Sequence, residues 1–277
     1  MSPGTVVQWV QALAWPLVGL VAVLLAAFTW RGHLLTSWVR DRLSKVEILG
    51  IKIELTAQAA RETRQSADEA FSVLDRRLRR EFDRSCERYS IRESVEAVIR
   101  AALPTLEQQN GGQPPENLRA TVHVEDGLFA DFLYQLIDYY PGGGGRGRAF
   151  SQRYGIIGIA WRSKLPSATG EVPVGPESRL ALIRNWGMTD EEAAAAGSGR
   201  PAFLALPIIR QNVEVAVLYL DSTTANAFGD DDANLVKRQA ICEALLHQVE
   251  VVGLIESLHH VQQEVRSVSP RLRRLLF

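Results

Sequence analysis

The residues of this chain best suited to recognising another molecule are aromatic and concentrate between positions 139 and 203. The aromatic residues of that stretch are Tyr139, Tyr140, Phe150, Tyr154, Trp161, Trp186 and Phe203. An apolar pocket with a few placed polar groups is the usual form of a small-molecule site. Core packing explains any single ring better than a pocket does, so the prediction of a pocket rests on their concentration.

Polar residues beside this cluster could orient a ligand. Asp221 ends a predicted strand, and His123 is the only histidine of the predicted sheet. His123 could bind a haem iron, although a single histidine is more typical of a hydrogen-bonded pocket wall. Arg146 and Arg148 could meet an anion at the mouth of a pocket. The candidate pocket residues are therefore Tyr139, Phe150, Tyr154, Trp161, Trp186, Phe203, Asp221, Arg146, Arg148 and His123.

The glycine-rich stretch at positions 142–149, GGGGRGRA, is close to a phosphate-binding P-loop but departs from it at two essential positions. Arg148 stands where the phosphate-contacting lysine belongs, and Ala149 where the magnesium-binding hydroxyl belongs. The stretch also follows a predicted strand without opening a helix. A hairpin loop explains it better, because glycine adopts positive φ angles at little cost.

The sequence offers no convincing catalytic group. It has no Ser-His-Asp order, no metal-ligand spacing and no obvious carboxylate pair. The two cysteines, Cys86 and Cys242, lie in helix-like sequence and are typical of buried structural thiols. We therefore expect a protein that is not an enzyme, with no metal site and with a cofactor, if any, that the sequence leaves unknown. The net charge of −1 gives no pull toward nucleic acid.

Hydrophobic periodicity predicts an α+β fold with an antiparallel sheet. The predicted strands are 120–125, 132–140, 202–208 and 213–220, and the predicted helices include 155–160, 177–185, 190–195 and 233–261. From 56 to 109 the sequence is rich in Ala, Glu, Arg and Leu, which predicts one or two long helices. Ala-rich spacing there leaves open a weak coiled coil or a solvated single helix.

The chain carries no charge from Ala12 to Trp30, a length that just crosses a bilayer as a helix. Arg31, Arg40, Arg42 and Lys45 follow it, so the positive-inside rule places the N-terminus outside and the rest in the cytoplasm. The bulky exit AAFTWRG disfavours a cleaved signal peptide, and the absence of a charged face disfavours a soluble core helix. We expect a single-pass protein of the inner or plasma membrane.

These patterns divide the chain into segments with different roles. The predicted segments are a transmembrane anchor at 1–33, a helical stalk at 34–109, an α+β domain including the last helix at 110–264 and a basic-apolar tail at 265–277. Apolar spacing in the stalk and in the last helix, at Leu245, Val249, Val252 and Ile255, favours a homodimer paired through helices. The tail could touch anionic lipid or simply fray.

Three stretches resemble the GAF domain, a ligand-binding and dimerising module of bacterial signalling proteins. RYGIIGIAWRSK at 153–164 is similar to the family's strand-to-helix passage, PAFLALPI at 201–208 to a strand with a late proline, and VAVLYLDSTTANAF at 215–228 to its last strand. The resemblance covers roughly residues 118–228 and implies a GAF-like antiparallel sheet flanked by helices. The signatures of cyclic-nucleotide, bilin and methionine sulfoxide reductase members are missing.

Taken together, the sequence predicts a membrane-anchored cytoplasmic sensor that binds an unknown small molecule or partner and signals through helices to an unknown output protein. A second interpretation is a membrane effector that responds to a nucleotide signal in antiviral defence. A third is a structural anchor whose pocket is empty.

Overall fold

The computed structural model describes residues 47–48, 51–52, 57–127, 129, 131–169, 172, 176–195, 200–229 and 234–273. The elements, in chain order, are β1 (Glu47–Ile48), β2 (Ile51–Lys52), α1 (Ala57–Arg88), α2 (Ile91–Gln109), β3 (Arg119–Glu125), β4 (Phe132–Gln135), β5 (Ala149–Ser151), α3 (Gly155–Ser163), β6 (Ser167–Thr169), α4 (Pro176–Trp186), α5 (Asp190–Ala195), β7 (Ala202–Arg210), β8 (Val213–Ser222), α6 (Leu235–Val251) and α7 (Leu254–Arg273). The predicted α+β class is confirmed.

The chain divides into two compact units, residues 1–69 and 70–277. The first contains the short antiparallel pair of β1 and β2. The predicted membrane span at 12–30 and the predicted helix at 34–46 lie outside the described residues. Among the helices that are described, none has the length and apolar character needed to cross a bilayer.

The second unit is built on a 6-stranded antiparallel sheet with the strand order β5-β4-β3-β8-β7-β6. Its central pair, β3 and β8, comes from distant parts of the sequence, with Arg119 opposite Asp221 and His123 opposite Val217. β8 also pairs with β7 along nearly its whole length. Side chains alternate between the two faces of each strand, so each face has its own set of neighbours.

One face of the sheet, called here the helical face, packs against α2, α6 and α7. β3 contributes Ala120, Val122 and Val124 to this core, and α6 contributes Leu245 and Val249, all fully buried. The spacing of Leu245 and Val249 is thus used for packing within the chain, which corrects their sequence assignment to a dimer contact. The homodimer itself stays a prediction.

Two predicted elements differ from the structure. The single helix expected at 233–261 is broken into α6 and α7 at Gly253, whose φ of +69° ends a helical run. The strand expected at 132–140 leaves the regular ladder after Gln135. Between the pairs His123–Gln135 and Ala120–Tyr140, β3 advances three residues and its partner five. The Thr121 hydroxyl and the Gln135 amide both donate to the Ile137 carbonyl, which explains the irregularity.

The C-terminal part of α1 is held to α7 by a polar cluster. Ser85, Arg88 and Tyr89 all donate hydrogen bonds to the carboxylate of Glu264. Partial burial acts to raise the pKa of Glu264, but these hydrogen bonds and the charge of Arg88 together lower it. The first and last helices of this unit are therefore joined directly.

Candidate functional site

The other face of the sheet, called here the site face, is covered by α3 and carries polar side chains within an apolar layer. The apolar side chains of this layer are Leu133, Tyr139, Ile156, Ile157, Ala160, Ala205, Val217 and Tyr219, with Phe150, Trp161, Trp186 and Phe203 packed around them. Along β3 the residues directed to this face are Arg119, Thr121 and His123, which alternate with the apolar residues of the helical face.

Glycine brings α3 close to the sheet. Gly155 opens the helix at a φ of +73°, a conformation that favours glycine. A Cβ atom on Gly158 would lie 2.7 Å from the carbonyl oxygen of Ser151 in β5. The Arg162 guanidinium also donates to the Gln152 carbonyl just after β5. These contacts hold α3 in place over the site face.

We expect Gly158→Ala to lower the free energy of unfolding. The new methyl group meets backbone that cannot move aside as a side chain would, and such overpacking costs about 1–3 kcal/mol. Alanine recovers about 1 kcal/mol of helix propensity, so with overpacking at the upper end of that range the net loss in urea titrations is expected to be about 2 kcal/mol.

Gly143→Ala provides the matched control, because no heavy atom lies within 4 Å of the Cβ position there. A Gly158→Ala protein as stable as the wild type, with Gly143→Ala also unchanged, would contradict the close packing of α3 on β5.

His123 lies at the centre of the site face and is 0% exposed. Its ring meets Phe150 edge-on at 4.7 Å and Tyr219 edge-on at 5.8 Å between centroids. Burial lowers its pKa to about 3, opposed by a polar contact with the Val217 backbone, so the imidazole is neutral. That contact does not satisfy hydrogen-bond geometry, and neither ring nitrogen has another partner among the described residues.

Gln135 of β4 lies opposite His123 and is also fully buried. Its Nε2 donates to the Thr121 hydroxyl at 3.3 Å and to the Ile137 carbonyl at 3.2 Å. The carbonyl can only accept, which fixes the orientation of the amide. Its Oε1 then has no partner in the described part of the chain. His123 and Gln135 together offer hydrogen-bonding atoms that the protein itself leaves unused.

The end of the site face carries a buried ion network. The Asp221 carboxylate accepts from Arg119 Nε at 2.7 Å and Nη2 at 3.0 Å, and from Arg200 Nη1 at 2.7 Å. The Arg119 guanidinium lies 3.9 Å above the centre of the Tyr139 ring. Burial raises the pKa of Asp221, and the two guanidinium groups oppose that shift. The network can hold charged groups in fixed positions.

The structure brings most of the sequence-predicted residues to the site face. Tyr139, Phe150, Trp161, Trp186 and Phe203 belong to its aromatic layer, although Trp186 and Phe203 also pack on a smaller cluster around Leu182. His123 contacts this layer, and Asp221 lies at its end.

The remaining predicted residues lie at the edges of the site face or away from it. Tyr154 immediately precedes α3 and is half-buried. The Arg148 backbone carbonyl accepts a hydrogen bond from the Gln135 backbone N–H at 2.8 Å. Arg146 instead forms an ion pair with Asp83 of α1. Its side chain is therefore committed to α1.

Several residues of the site were missed by sequence reasoning. They are Arg119, Thr121, Gln135, Arg200 and Tyr219. Arg119 and Thr121 could have been found, because they occupy the same alternating positions as His123 in an otherwise apolar strand. Arg200 lies outside the strands, and no local pattern places it beside Asp221.

The described residues bring neither a metal-ligand cluster nor a reactive thiol to this site. Within the described ranges, no three His, Cys, Asp or Glu side chains are placed to hold a metal ion. Cys86 and Cys242 belong to the core of the helical face, on the opposite side of the sheet. Burial raises the pKa of each thiol to about 12, so neither is a reactive thiolate at neutral pH.

Comparison with solved structures finds GAF domains and free methionine-R-sulfoxide reductases. The GAF domain of a phosphoenolpyruvate-protein phosphotransferase from Coxiella burnetii is 13% identical, over 67% of this chain and 97% of that chain, with a TM-score of 0.35. Its Acinetobacter counterpart is 12% identical over 62% and 93%, with a TM-score of 0.35. The Neisseria meningitidis free methionine-R-sulfoxide reductase, in complex with its substrate, is 16% identical over 59% and 83%, with a TM-score of 0.34.

No family model and no curated protein matches the sequence. At these identities and TM-scores the structural neighbours carry no argument about activity or ligand.

Proposed function

We propose that this chain is a GAF-like regulatory module that binds a small molecule between the site face and α3 and performs no chemistry of its own. One observation carries the proposal: His123 Nδ1, His123 Nε2 and Gln135 Oε1 are buried and make no hydrogen bond of normal geometry with the described residues. Each such atom costs about 1–3 kcal/mol when unsatisfied. A ligand that supplies the missing partners would recover this cost.

The ligand's chemistry follows from these atoms. A neutral imidazole presents one N–H donor and one acceptor nitrogen, and Gln135 Oε1 presents a further acceptor. The matching ligand group is neutral and carries two hydrogen-bond donors and one acceptor, as an amide or the edge of a heterocycle can. The rings of Phe150 and Tyr219 beside His123 supply an apolar wall for it.

The glycine-rich loop at 142–148 connects the site to α1 through hydrogen bonds. Gly147 donates to the Gln135 carbonyl at 2.9 Å, and the Gly147 carbonyl accepts from Arg79 of α1 at 3.0 Å. A Cβ atom on Gly145 would lie 2.5 Å from Gln135 Nε2, so the loop touches the ligand-facing amide. Movement of Gln135 on binding would therefore reach α1 through two short contacts.

The membrane placement of the module is part of the proposal. The uncharged stretch at 12–30 would anchor it in the inner or plasma membrane, with the N-terminus outside and the ligand-binding unit in the cytoplasm. The proposal also includes a homodimer and an output protein that contacts α1. The position of the two cysteines, in the core on the other side of the sheet, supports a role without thiol catalysis.

Replacement of His123 tests the function. His123→Leu removes two unpaired polar atoms, so we expect the ligand-free protein to gain about 1–3 kcal/mol of stability and to lose most ligand binding. Candidate ligands come from mass spectrometry of small molecules released from the purified full-length chain. Affinities of wild type and variant are then compared by calorimetry.

Gln135→Leu is a second test of the site, and Gln262→Leu is its matched control. Gln262 of α7 is also buried, but it donates to the Val215 carbonyl at 2.6 Å, within the core of the helical face. We expect only Gln135→Leu to weaken binding. Equal binding by all three variants, or loss of stability in His123→Leu without any ligand being found, would reject the proposed site.

A further inference from the structure

We propose that Arg119, Arg148 and Arg200 form an anion-binding end of the ligand site, which takes the carboxylate or phosphate group of a small acidic ligand. This inference rests on the proposed function and adds the ligand's charge to it. The argument comes from the way the buried Asp221 holds two of these guanidinium groups, from the hydrogen-bond donors they keep available and from the local charge.

Asp221 acts as a fixed support for two guanidinium groups. Its side chain is only 2% exposed, whereas those of Arg119 and Arg200 are 30% and 22% exposed. Both carboxylate oxygens are used, one by both arginines and the other by Arg119 alone. The Tyr139 ring below Arg119 fixes the plane of that guanidinium as well. Two arginine side chains are therefore ordered before any ligand arrives.

The arginines keep donors that these contacts do not use. Arg119 binds Asp221 through Nε and Nη2, and Arg200 binds Asp221 and the Asn117 carbonyl through Nη1. In the described part of the chain, Arg119 Nη1 and the Nε and Nη2 groups of Arg200 have no acceptor. The Arg148 side chain also has no hydrogen bond or ion pair among those residues. A guanidinium fork matches the geometry of carboxylate and phosphate oxygens.

The local charge favours an anion. Asp221 is the one carboxylate in the network, and it binds the guanidinium groups of Arg119 and Arg200, whereas Arg148 is exposed immediately before β5. Burial and Asp221 raise the pKa of Tyr139, and these three guanidinium groups oppose the shift, which places all of them within electrostatic reach of its hydroxyl. Because Arg119 and Arg200 are mostly buried, their field is screened less by water than that of a surface arginine.

This anion-binding end belongs to the same site as the neutral polar atoms of His123 and Gln135. Arg119 and His123 point to the same face of β3 and are four residues apart, a Cα separation of about 13 Å along a strand. The Thr121, Tyr139 and Tyr219 side chains lie between them. The geometry therefore fits a ligand with an acidic group at one end and an amide-like or heterocyclic group at the other.

The test uses simple anions as probes. Thermal unfolding of the purified full-length chain is followed in acetate, in inorganic phosphate and in chloride at matched ionic strength. Acetate or phosphate is expected to stabilise the wild type beyond chloride. Arg148→Gln and Arg200→Gln should each raise the half-effective concentration about tenfold, the equivalent of one charge-assisted hydrogen bond. Arg153→Gln is the control, since Arg153 is exposed and pairs with Asp131.

The outcomes separate the two proposals. A larger response to acetate identifies a carboxylate ligand, and a larger response to phosphate a phosphorylated one. Stabilisation no greater than in chloride, or unchanged by Arg148→Gln and Arg200→Gln, overturns the anion site. If a released small molecule still binds in a His123-dependent way in those variants, only this inference fails. If neither anions nor any small molecule bind, the proposed function fails with it.

Discussion

Acidification from pH 7 to pH 4.5 is expected to remove about 2–3 kcal/mol of folding free energy through His123 alone. The pKa of its imidazole is about 3 in the folded protein and 6.5 as a free group. Below pH 6.5 the unfolded chain binds a proton that the folded chain does not. Each pH unit therefore costs about 1.36 kcal/mol until the folded pKa is reached, and the stability is fully present only above pH 6.5.

Other groups titrate in the same range, so the measurement must isolate His123. Free energies of unfolding from urea titrations of wild type and His123→Leu are compared between pH 7.5 and pH 4. The difference between the two proteins should grow steadily below pH 6.5 in favour of the variant. A difference that does not change with pH would show that the folded protein accommodates an imidazolium at this position.

Arg119→Met is expected to destabilise the protein by about 3 kcal/mol, more than Asp221→Asn does. Removing Arg119 leaves the carboxylate of Asp221, 2% exposed, with Arg200 as its remaining cationic partner. Breaking a buried pair in this way costs about 3–5 kcal/mol, and Arg200 keeps the loss at the lower end. Asp221→Asn leaves guanidinium groups that still reach water. Burial already raises the pKa of Asp221, so its neutral form is tolerated, at a cost of about 1–2 kcal/mol.

The comparison requires the double variant as well. Arg119→Met with Asp221→Asn removes the charge and its partner together, so the loss should be smaller than the sum of the two single losses. Chemical denaturation of all three variants at pH 7 provides the values. A greater loss from Asp221→Asn than from Arg119→Met would show that repulsion between the arginines, rather than burial of the carboxylate, controls the network.

The parts of the fold that could be read from the sequence are those with strong local periodicity. β7 and β8 were predicted within two residues at each end, because two runs of mostly apolar residues joined by a short polar link indicate a hairpin. The break at Gly253 was missed because apolar spacing continues across it from Val249 to Leu258. The end of β4 at Gln135 was missed because it depends on side-chain hydrogen bonds from Thr121, a residue of another strand.

The site was predictable only where its residues have a distinctive type. Aromatic density led to Tyr139, Phe150, Trp161 and Phe203, which do share one face of the sheet. Their number could not reveal that the polar atoms beneath them lack partners. Arg146 and Arg148 looked equivalent in sequence, yet Arg146 pairs with Asp83, 63 positions away. Such long-range pairing is set by the topology of the chain, which no local pattern contains.

The pairing of β3 with β8 also determines when the protein can fold during its synthesis. Arg119 and Asp221 are 102 positions apart, and Ser85 and Glu264 are 179 apart. At ribosomal rates of about 5–20 residues per second, β3 waits about 5–20 s for its central partner to be made. Throughout that time the apolar residues of β3 and α2 have no β8, α6 or α7 to cover them. The nascent chain therefore exposes these apolar residues, with the aggregation risk that such exposure carries, until β8 and the helices after it have been synthesised.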